Sequence, residues 1–376
     1  DRQKIWFMPD EEFRLPRGVT YINFRSSEVG QTAEQAAMAG LYAAVLTDQV
    51  NEFTYPARLA GLGFSFYKHA QGISLRISGY NDKQMLLLQR LLLNVADPAF
   101  DEQRFEDIRN NMIRGLQNSV AKRPSSQVMD DLREALLHGE WGEQALIAAL
   151  QQTTLEDLEG YVKRFWQGAT AEALVYGNYD ASLVAQLSEL IDGVVPVDPA
   201  PQLQDLKVLK VDAGEALQYA VAIPHDDSVV AWYLQGAGKS WQDQAATALT
   251  AQIMSSGFFE QLRTEQQLGY VVSAFAWTQL EVPGLVMLVQ SPVADANAVA
   301  QAMDAFMQGV EPGLDEAQFQ RHKDALLSDI LRPDKNLGER AEFYWQSIAR
   351  KQLDFDGRQQ LAAAVESLSL DDWQAY

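Results

Sequence analysis

The chain has 376 residues, of which 47% are hydrophobic and 22% are charged, a composition typical of a folded protein rather than a disordered one. Its formal net charge of −21 argues against nucleic acid as a partner, because contact with phosphates requires a basic surface. The absence of cysteine excludes disulfide bonds, cysteine-bound zinc and thiol catalysis.

No membrane-spanning segment is expected. The most apolar run, Met85–Leu93, is interrupted by Gln89 and Arg90, and it is shorter than the roughly 18–20 apolar residues that cross a bilayer. We therefore predict that this run is a buried helix of a globular domain.

The sequence predicts two copies of one structural unit, which agrees with the two domains expected for a chain of this length. A β-rich run at Val19–Phe24 in the first copy corresponds to Val229–Leu234 in the second. An alanine-rich amphipathic helix is predicted after each run, at about residues 32–50 and 242–255.

A shared motif follows these helices, at Pro56–Phe64 and at Leu262–Tyr270. Both copies end in Leu-Gly followed by an aromatic residue. Gly63 and Gly269 are expected to end the preceding helix, because glycine readily takes the left-handed conformation found at helix C-termini. A β-hairpin is predicted after each motif, with strands at about residues 64–69 and 73–79, and at 270–277 and 285–290.

Later in each copy, a long helix is predicted to begin at Asp101 and at Asp315. Proline-containing segments interrupt that helix, at Lys122–Pro124 in the first copy and at Arg332–Lys335 in the second.

The last segment shared by the two copies is Thr154–Tyr161, which corresponds to Ser369–Tyr376. The first copy continues into a predicted closing strand near Glu172–Asn178. The second copy stops at Tyr376 without such a strand, and we interpret this difference as a truncation or an unordered tail.

A proline-rich connector, Val194–Pro201, separates the copies and indicates domains at residues 1–200 and 201–376. Because each copy mixes antiparallel strands with long helices, the predicted class is α+β. Each of the two homologous domains is expected to be an antiparallel sheet with helices packed on one face.

Several familiar catalytic patterns fail on inspection. Gly236–Ser240 ends like a phosphate-binding loop, but Tyr233 stands where that pattern requires its first glycine. The acidic pair Asp226-Asp227 is expected to lie on a solvated surface or at a helix start. No intrinsic metal site is expected, because the histidines are too widely spaced to form a helix-borne zinc pair. The four histidines are His69, His138, His225 and His322.

One difference between the copies points to a functional site. Where the second copy has Arg263 and Tyr270, the first has Ala57 and Phe64. An arginine and a phenol directed at one point would supply a fixed charge and a hydrogen-bond donor for a developing oxyanion. The alternative is an exposed helix arginine and a tyrosine packed at a strand edge. Either version of the motif would satisfy packing alone, so the added charge and hydroxyl favour a functional role.

The chain resembles the pitrilysin and insulin-degrading-enzyme family of inverzincin zinc metallopeptidases over nearly its whole length. The stretches that carry the resemblance are Asn51–Tyr55, Leu59–Leu62, Gly79–Gln84 and Leu262–Tyr270. The resemblance implies four homologous α+β domains, paired into two bowl-shaped halves around a peptide chamber. Since the zinc-binding H-x-x-E-H pentapeptide of the first family domain is absent here, the chain is expected to be the C-terminal half, with the third and fourth domains.

In this family an arginine and a tyrosine of the fourth domain complete the active site, and the matching positions are Arg263 and Tyr270. The resemblance implies that Tyr270 bonds the scissile carbonyl or its oxyanion, while Arg263 holds substrate backbone or orients Tyr270. Zinc would be bound by the N-terminal catalytic half of the same polypeptide, which is the expected partner together with peptide substrates.

The sequence thus predicts the zinc-free half of an endopeptidase that hydrolyses peptides and small unfolded proteins, inactive as an isolated chain. One alternative is a catalytically inactive homologue that serves as a binding or scaffold subunit of a processing peptidase. A narrower alternative is a specialised peptidase that trims a cofactor-precursor peptide. Because pitrilysin-like bacterial relatives are often periplasmic, the resemblance implies a periplasmic location, with the cytoplasm as the alternative.

Overall fold

The computed structural model of the protein describes residues 2–96, 98–195, 203, 205–310 and 313–376. The chain forms two compact units. Unit 1 contains Asp1–Asn118, His138–Leu206 and Asp334–Gln346, and unit 2 contains Ser119–Leu137, Lys207–Pro333 and Ser347–Tyr376. Among the described helices, none combines the length and the apolar character that crossing a bilayer requires.

Unit 1 is built on a five-stranded sheet with the order β1-β5-β2-β4-β3. Its strands are β1 (Gln3–Pro9), β2 (Arg17–Arg25), β3 (Leu62–His69), β4 (Gly72–Tyr80) and β5 (Thr170–Gly177). Neighbouring strands are antiparallel except for β1 and β5, which are parallel. The predicted closing strand is β5, which lies between β1 and β2.

Several helices of the first copy begin after residues typical of helix N-caps. The Thr32 and Thr154 hydroxyls accept hydrogen bonds from backbone N–H groups of the first helical turn, as N-cap residues do. The helices of the first copy are α1 (Ala33–Leu59), α2 (Gln84–Ala96), α3 (Glu102–Gln117), α4 (Pro124–Leu136), α5 (Glu143–Gln152), α6 (Leu155–Gln167) and α7 (Ser182–Asp192).

One apolar core holds unit 1 together. Ile22 and Phe24 of β2 and Leu75 of β4 pack there with Leu41 of α1 and Phe165 of α6. Each is almost fully buried, and burying a side chain of this size contributes about 1.5–3 kcal/mol. Helices α1 and α6 therefore pack on the same face of this sheet.

Side chains alternate between the two faces of a sheet, so the residues next to these core residues lie on the opposite face. Several of them are aromatic. Tyr21 of β2 stacks on Trp345 with ring centroids 5.0 Å apart, and its hydroxyl donates to Glu342 at 2.9 Å. Tyr176 of β5 packs edge-on against Tyr344. The segment 334–346, which comes from the second copy in sequence, thus completes unit 1.

Unit 2 contains a three-stranded antiparallel sheet with the order β6-β8-β7. Its strands are β6 (Ser228–Gln235), β7 (Val271–Ala276) and β8 (Gly284–Ser291). This order repeats the β2-β4-β3 arrangement of unit 1, so the predicted strand–helix–hairpin repeat is confirmed.

The helices of the second copy are α8 (Trp241–Phe259), α9 (Ala296–Val310), α10 (Glu316–Ile330), α11 (Leu337–Ala349), α12 (Gly357–Ser367) and α13 (Leu370–Ala375). One core packs α8 and α9 on β7 and β8, and a second packs α8 with α10, α12 and α13.

Helix α4 belongs to unit 2, where it contacts β6 and β8. The two copies therefore exchange the segment that follows each predicted proline interruption: α4 goes to unit 2, and residues 334–346 go to unit 1. The division into domains 1–200 and 201–376 stays a prediction about the sequence repeat, and its boundary residue, Pro201, lies outside the described residues.

The predicted helix ends need correction. Helix α1 extends to Leu59 rather than to about residue 50, and α8 extends to Phe259 rather than to about residue 255. The motif therefore continues the amphipathic helix instead of forming a separate one.

The assignment of Gly63 and Gly269 to the left-handed position was wrong. That conformation occurs two residues earlier in both copies, at Gly61 (φ 79°) and at Gln267 (φ 53°). Gly63 instead lies inside β3. Gly269 allows the backbone of the turn to lie close to β8, because a Cβ atom at this position would lie 1.9 Å from the carbonyl oxygen of Gln290.

Candidate active site

The motif of the second copy has an unusual backbone. After α8, residues Glu260–Glu265 form a π-helical turn, in which the Gln266 N–H donates to the carbonyl of Gln261 at 3.0 Å. The left-handed Gln267 follows. π-helical turns and left-handed non-glycine residues are both enriched at functional sites. The local geometry therefore supports the same segment that the sequence comparison singled out.

Tyr270 lies at the end of this turn, immediately before β7, and 51% of its surface is exposed. Its hydroxyl donates to Oδ2 of Asp227 at 2.7 Å, and it accepts from Nε2 of Gln290 at 2.7 Å. Nε2 of Gln290 also donates to Oδ2 of Asp227 at 2.7 Å. The three polar atoms form a closed triangle, and of the three residues that supply them Tyr270 is the one that is half-exposed.

The charges within this triangle fix its protonation state. The hydrogen bond to Asp227 is the main cause that raises the pKa of Tyr270 above its ordinary value, although the charge of Arg123 acts in the opposite direction. The amide of Gln290, followed by the phenol, lowers the pKa of Asp227. Near neutral pH the site therefore holds an ionised carboxylate and a protonated phenol, which is the form that can donate a hydrogen bond.

Arg263 contacts the backbone of Tyr270. Its guanidinium donates to the Tyr270 carbonyl oxygen and lies over the ring of Phe259, 5.3 Å from the ring centroid. The structure thus brings the two predicted residues together, but through the main chain rather than through the phenol. Of the two roles that the resemblance implies for Arg263, this contact favours orientation of Tyr270. The catalytic assignment of both residues stays a prediction.

Sequence reasoning missed Asp227 and Gln290. Asp227 was expected, with Asp226, to lie on a solvated surface or at a helix start, whereas only 9% of its side-chain surface is exposed. Gln290 lies near the end of β8, whose other residues are almost all small or apolar, and all are buried. A lone amide in a buried strand was the available signal, because a buried polar group needs partners.

A metal ion does not fit this site. Within the part of the chain that the structure describes, no group of three or more His, Asp or Glu side chains is placed to hold one. His225 lies beside Asp227, where its Nδ1 accepts the Asp227 backbone N–H at 3.0 Å, and this pair lacks a third ligand. The chemistry available here is hydrogen-bond donation by the phenol within a charged surface.

Comparisons with known proteins agree with this architecture. Residues 1–149 match a family model described as the middle or third domain of peptidase M16. Residues 249–345 match a model described as PQQ synthase PqqF-like, C-terminal lobe domain 4. The second match includes Arg263 and Tyr270.

Relatives and a solved structure match almost the whole chain. Insulin-degrading enzyme of Homo sapiens is 28% identical over 379 residues, covering 98% of this chain and 37% of the relative. The A-factor-processing enzyme of Saccharomyces cerevisiae is 26% identical over 380 residues, with the same coverages of 98% and 37%. A crystal structure of pitrilysin superposes with a TM-score of 0.90 at 20% identity, covering 100% of this chain and 40% of that one. The chain thus spans less than two fifths of the length of these curated relatives.

Proposed function

Because the chain belongs to the M16 (insulinase) peptidase family and corresponds to the C-terminal half of such a protein, we propose that it forms the zinc-free half of a zinc metalloendopeptidase. In this proposal the complete enzyme hydrolyses peptides and small unfolded proteins inside an enclosed chamber. This half supplies chamber wall, substrate contacts and a hydrogen bond to the reacting carbonyl group. The zinc ion in this proposal is inferred from the family alone, and the N-terminal half would bind it.

The observation that carries the proposal is the Tyr270 hydroxyl. It is protonated, half-exposed and held by two neighbouring side chains, which are the properties of a preorganised donor. In the free chain the phenol donates to Asp227. When a peptide carbonyl approaches, the O–H bond turns toward the carbonyl oxygen, where negative charge develops during hydrolysis.

Arg263 acts on the same hydroxyl indirectly. Its guanidinium fixes the Tyr270 carbonyl, and a charge-assisted hydrogen bond of this kind is stronger than a neutral one. The direction in which the phenol leaves the backbone is therefore set before substrate binds. We propose orientation of Tyr270, rather than a direct substrate contact, as the main role of Arg263.

A comparison of the full-length protein with residues 1–376 alone tests this function. With a quenched fluorescent peptide and with insulin as substrates, the full-length protein is expected to cleave at least the peptide, and a chelator should abolish cleavage. Residues 1–376 alone should cleave neither substrate. Chelator-sensitive cleavage by residues 1–376 alone would overturn the proposal, and so would a full-length protein without peptidase activity.

A second, narrower candidate is favoured by the match of residues 249–345 to a PQQ synthase PqqF-like domain. In that case the full-length enzyme processes a cofactor-precursor peptide and discriminates against general substrates. It would leave insulin and unrelated unfolded peptides intact while it cleaves one precursor. Comparable kcat/KM values for insulin and for several unrelated peptides would exclude this narrower function.

A further inference from the structure

We propose that Gln290 is a positioning residue, which keeps the phenol oxygen of Tyr270 in place while its proton turns from Asp227 to the substrate carbonyl. This inference rests on the function proposed above for Tyr270.

The first argument is the burial of Gln290 in an apolar strand. Its side chain is fully buried, with 0% of its surface exposed, and its neighbours Val289 and Leu288 in β8 are core residues. Burial of an amide is unfavourable unless its donors and acceptor are all paired. Gln290 meets this requirement through partners on three separate segments of unit 2.

The second argument is the orientation of the amide. Oε1 of Gln290 accepts the backbone N–H of Ser125 at 3.1 Å, and Nε2 faces the Asp227 carboxylate at 2.7 Å. A flipped amide would place two donors together at Ser125 and two acceptors together at Asp227. The amide therefore has a single favourable orientation, in which Nε2 also donates to the Tyr270 hydroxyl.

The third argument concerns the anchor of the amide. Ser125 is the second residue of α4, where helix N–H groups have no partner within the helix. The residue before the helix, Arg123, gives no side-chain cap, and Gln290 accepts the Ser125 N–H instead. The phenol is thus connected through one amide to the start of a helix, which is a rigid element.

These contacts give Gln290 a role that Asp227 cannot have. The carboxylate holds Tyr270 only by accepting its proton, and that bond is lost when the phenol donates to substrate. Gln290 donates to a lone pair of the phenol oxygen, so its bond persists whichever way the O–H points. Nε2 of Gln290 also continues to donate to Asp227 after the phenol O–H has turned to the substrate. The carboxylate thus keeps one hydrogen bond, which limits the free-energy cost of turning the O–H.

A double-mutant cycle in the full-length enzyme tests the inference, using Gln290→Met in the wild-type and in the Tyr270→Phe background. In the wild-type background we expect kcat to fall about 10–10²-fold with KM nearly unchanged, the range that loss of orientation causes. In the Tyr270→Phe background the same change should have almost no effect on kcat, because the hydroxyl is already absent. An equal loss in both backgrounds would show a structural role and overturn the inference.

A second variant covers the case in which Gln290→Met fails to fold. Gln290→Glu keeps the side-chain volume and the bond from Ser125, but it places a second carboxyl group beside Asp227. One of the two carboxyl groups should then bind a proton at a raised pKa. Among the described residues, the charged or titratable groups that act on Tyr270 and Asp227 include Arg123 and His225.

The expected pH profile of Gln290→Glu differs from that of the wild type. At low pH the protonated carboxyl offers one O–H donor where the amide has two N–H donors, so kcat should move toward the wild-type value without reaching it. As pH rises and the proton is lost, kcat should fall at least tenfold relative to wild type. A constant ratio at all pH values would contradict the inference. If Tyr270→Phe alone leaves kcat unchanged, the proposed role of Tyr270 fails first, which separates the two failures.

Discussion

The same turn occurs twice in this molecule, and the two versions are used differently. In unit 1 the aromatic residue is Phe64, which packs against the core while the Arg58 guanidinium covers its ring at 5.4 Å. In unit 2 it is Tyr270, which is half-exposed and bonded to two polar side chains. An aromatic ring is therefore the feature of this turn that both copies share. The hydroxyl group and its polar partners occur in the second copy alone.

The strand before the turn shows the same contrast. Ser65 and Val271, which follow Phe64 and Tyr270, pair with Arg76 and Gln290, and these pair in turn with Tyr21 and Val229. In this register Val19 takes the place of Asp227. Val19 is a buried apolar residue, whereas Asp227 accepts a hydrogen bond from the Tyr270 hydroxyl. A polar site was thus built on the second copy by changes at the end of the sheet, without a change in strand order.

The largest expected difference between the copies concerns their motif glycines. In Gly269→Ala the new Cβ atom would lie 1.9 Å from the Gln290 carbonyl oxygen, so the turn must move away from β8. In Gly63→Ala the nearest atom is 3.6 Å away. We expect Gly269→Ala to lower the free energy of unfolding by about 3 kcal/mol, and Gly63→Ala by less than about 1 kcal/mol. Urea denaturation checks this, and equal losses would remove the distinction.

A pH effect on stability is expected from unit 1. Burial, with the nearby charges of Arg25 and Lys68, lowers the pKa of His69 to about 4. In the unfolded chain histidine has a pKa of about 6.5, so the unfolded state binds the extra proton between these values. Stability is therefore complete above about pH 6.5 and falls as pH drops to about 4.

The loss attributable to His69 should be about 3 kcal/mol, because each unit of pKa difference corresponds to about 1.4 kcal/mol. His69→Gln removes the titrating group and should reduce the dependence by that amount, as measured by urea denaturation at a series of pH values. An unchanged dependence would show that His69 titrates alike in both states. His69→Gln should change the peptidase activity of the full-length enzyme only through its effect on stability, because His69 lies in the first copy, which lacks the candidate active site.

Each motif contains one arginine, Arg263 in the second copy and Arg58 in the first, although Arg58 lies one position after the counterpart of Arg263. Arg263→Ala removes the bond to the Tyr270 carbonyl, and we expect kcat of the full-length enzyme to fall about tenfold through loss of orientation. Arg58→Ala removes only the cover over Phe64 and should leave kcat unchanged. If Arg58→Ala lowers kcat as much, the first copy also contributes to catalysis.

The smallest expected effect concerns the left-handed residue of each turn. Gln267 has φ 53° and its counterpart Gly61 has φ 79°. Because a side chain disfavours this conformation, Gln267→Gly should stabilise the protein by at most about 1 kcal/mol, and Gly61→Gln should destabilise it by about 1–2 kcal/mol. Thermal denaturation of both variants checks the signs. Destabilisation by Gln267→Gly would show that the glutamine side chain makes a contact that outweighs the strain.

The sequence predicted much of the fold because its repeat aligns strands, capped helices and hairpins in two independent copies. It did not predict the path of the chain through the second motif, because Leu262 is drawn into the core there and the helix widens into a π-turn. It also did not predict the exchange of α4. Proline shows where a helix is interrupted, but not against which sheet the next helix packs.

The site was predicted in part for a similar reason. Arg263 and Tyr270 lie within one motif, so a comparison of two short stretches was enough to find them. Gln290 is connected to Ser125, a residue 165 positions earlier that packs in unit 2 through the exchanged helix. A contact of that kind depends on tertiary structure, and the local sequence pattern around Gln290 does not predict it.

The central claim is that the second copy, and not the first, carries the group that acts on substrate. Its most direct test is kcat for Tyr270→Phe and for Phe64→Tyr in the full-length enzyme, with thermal denaturation to establish folding. Tyr270→Phe should lower kcat by ~10²–10³, the scale for one oxyanion donor, while Phe64→Tyr leaves it unchanged. An unchanged kcat in Tyr270→Phe would return the phenol to a packing role and contradict the account.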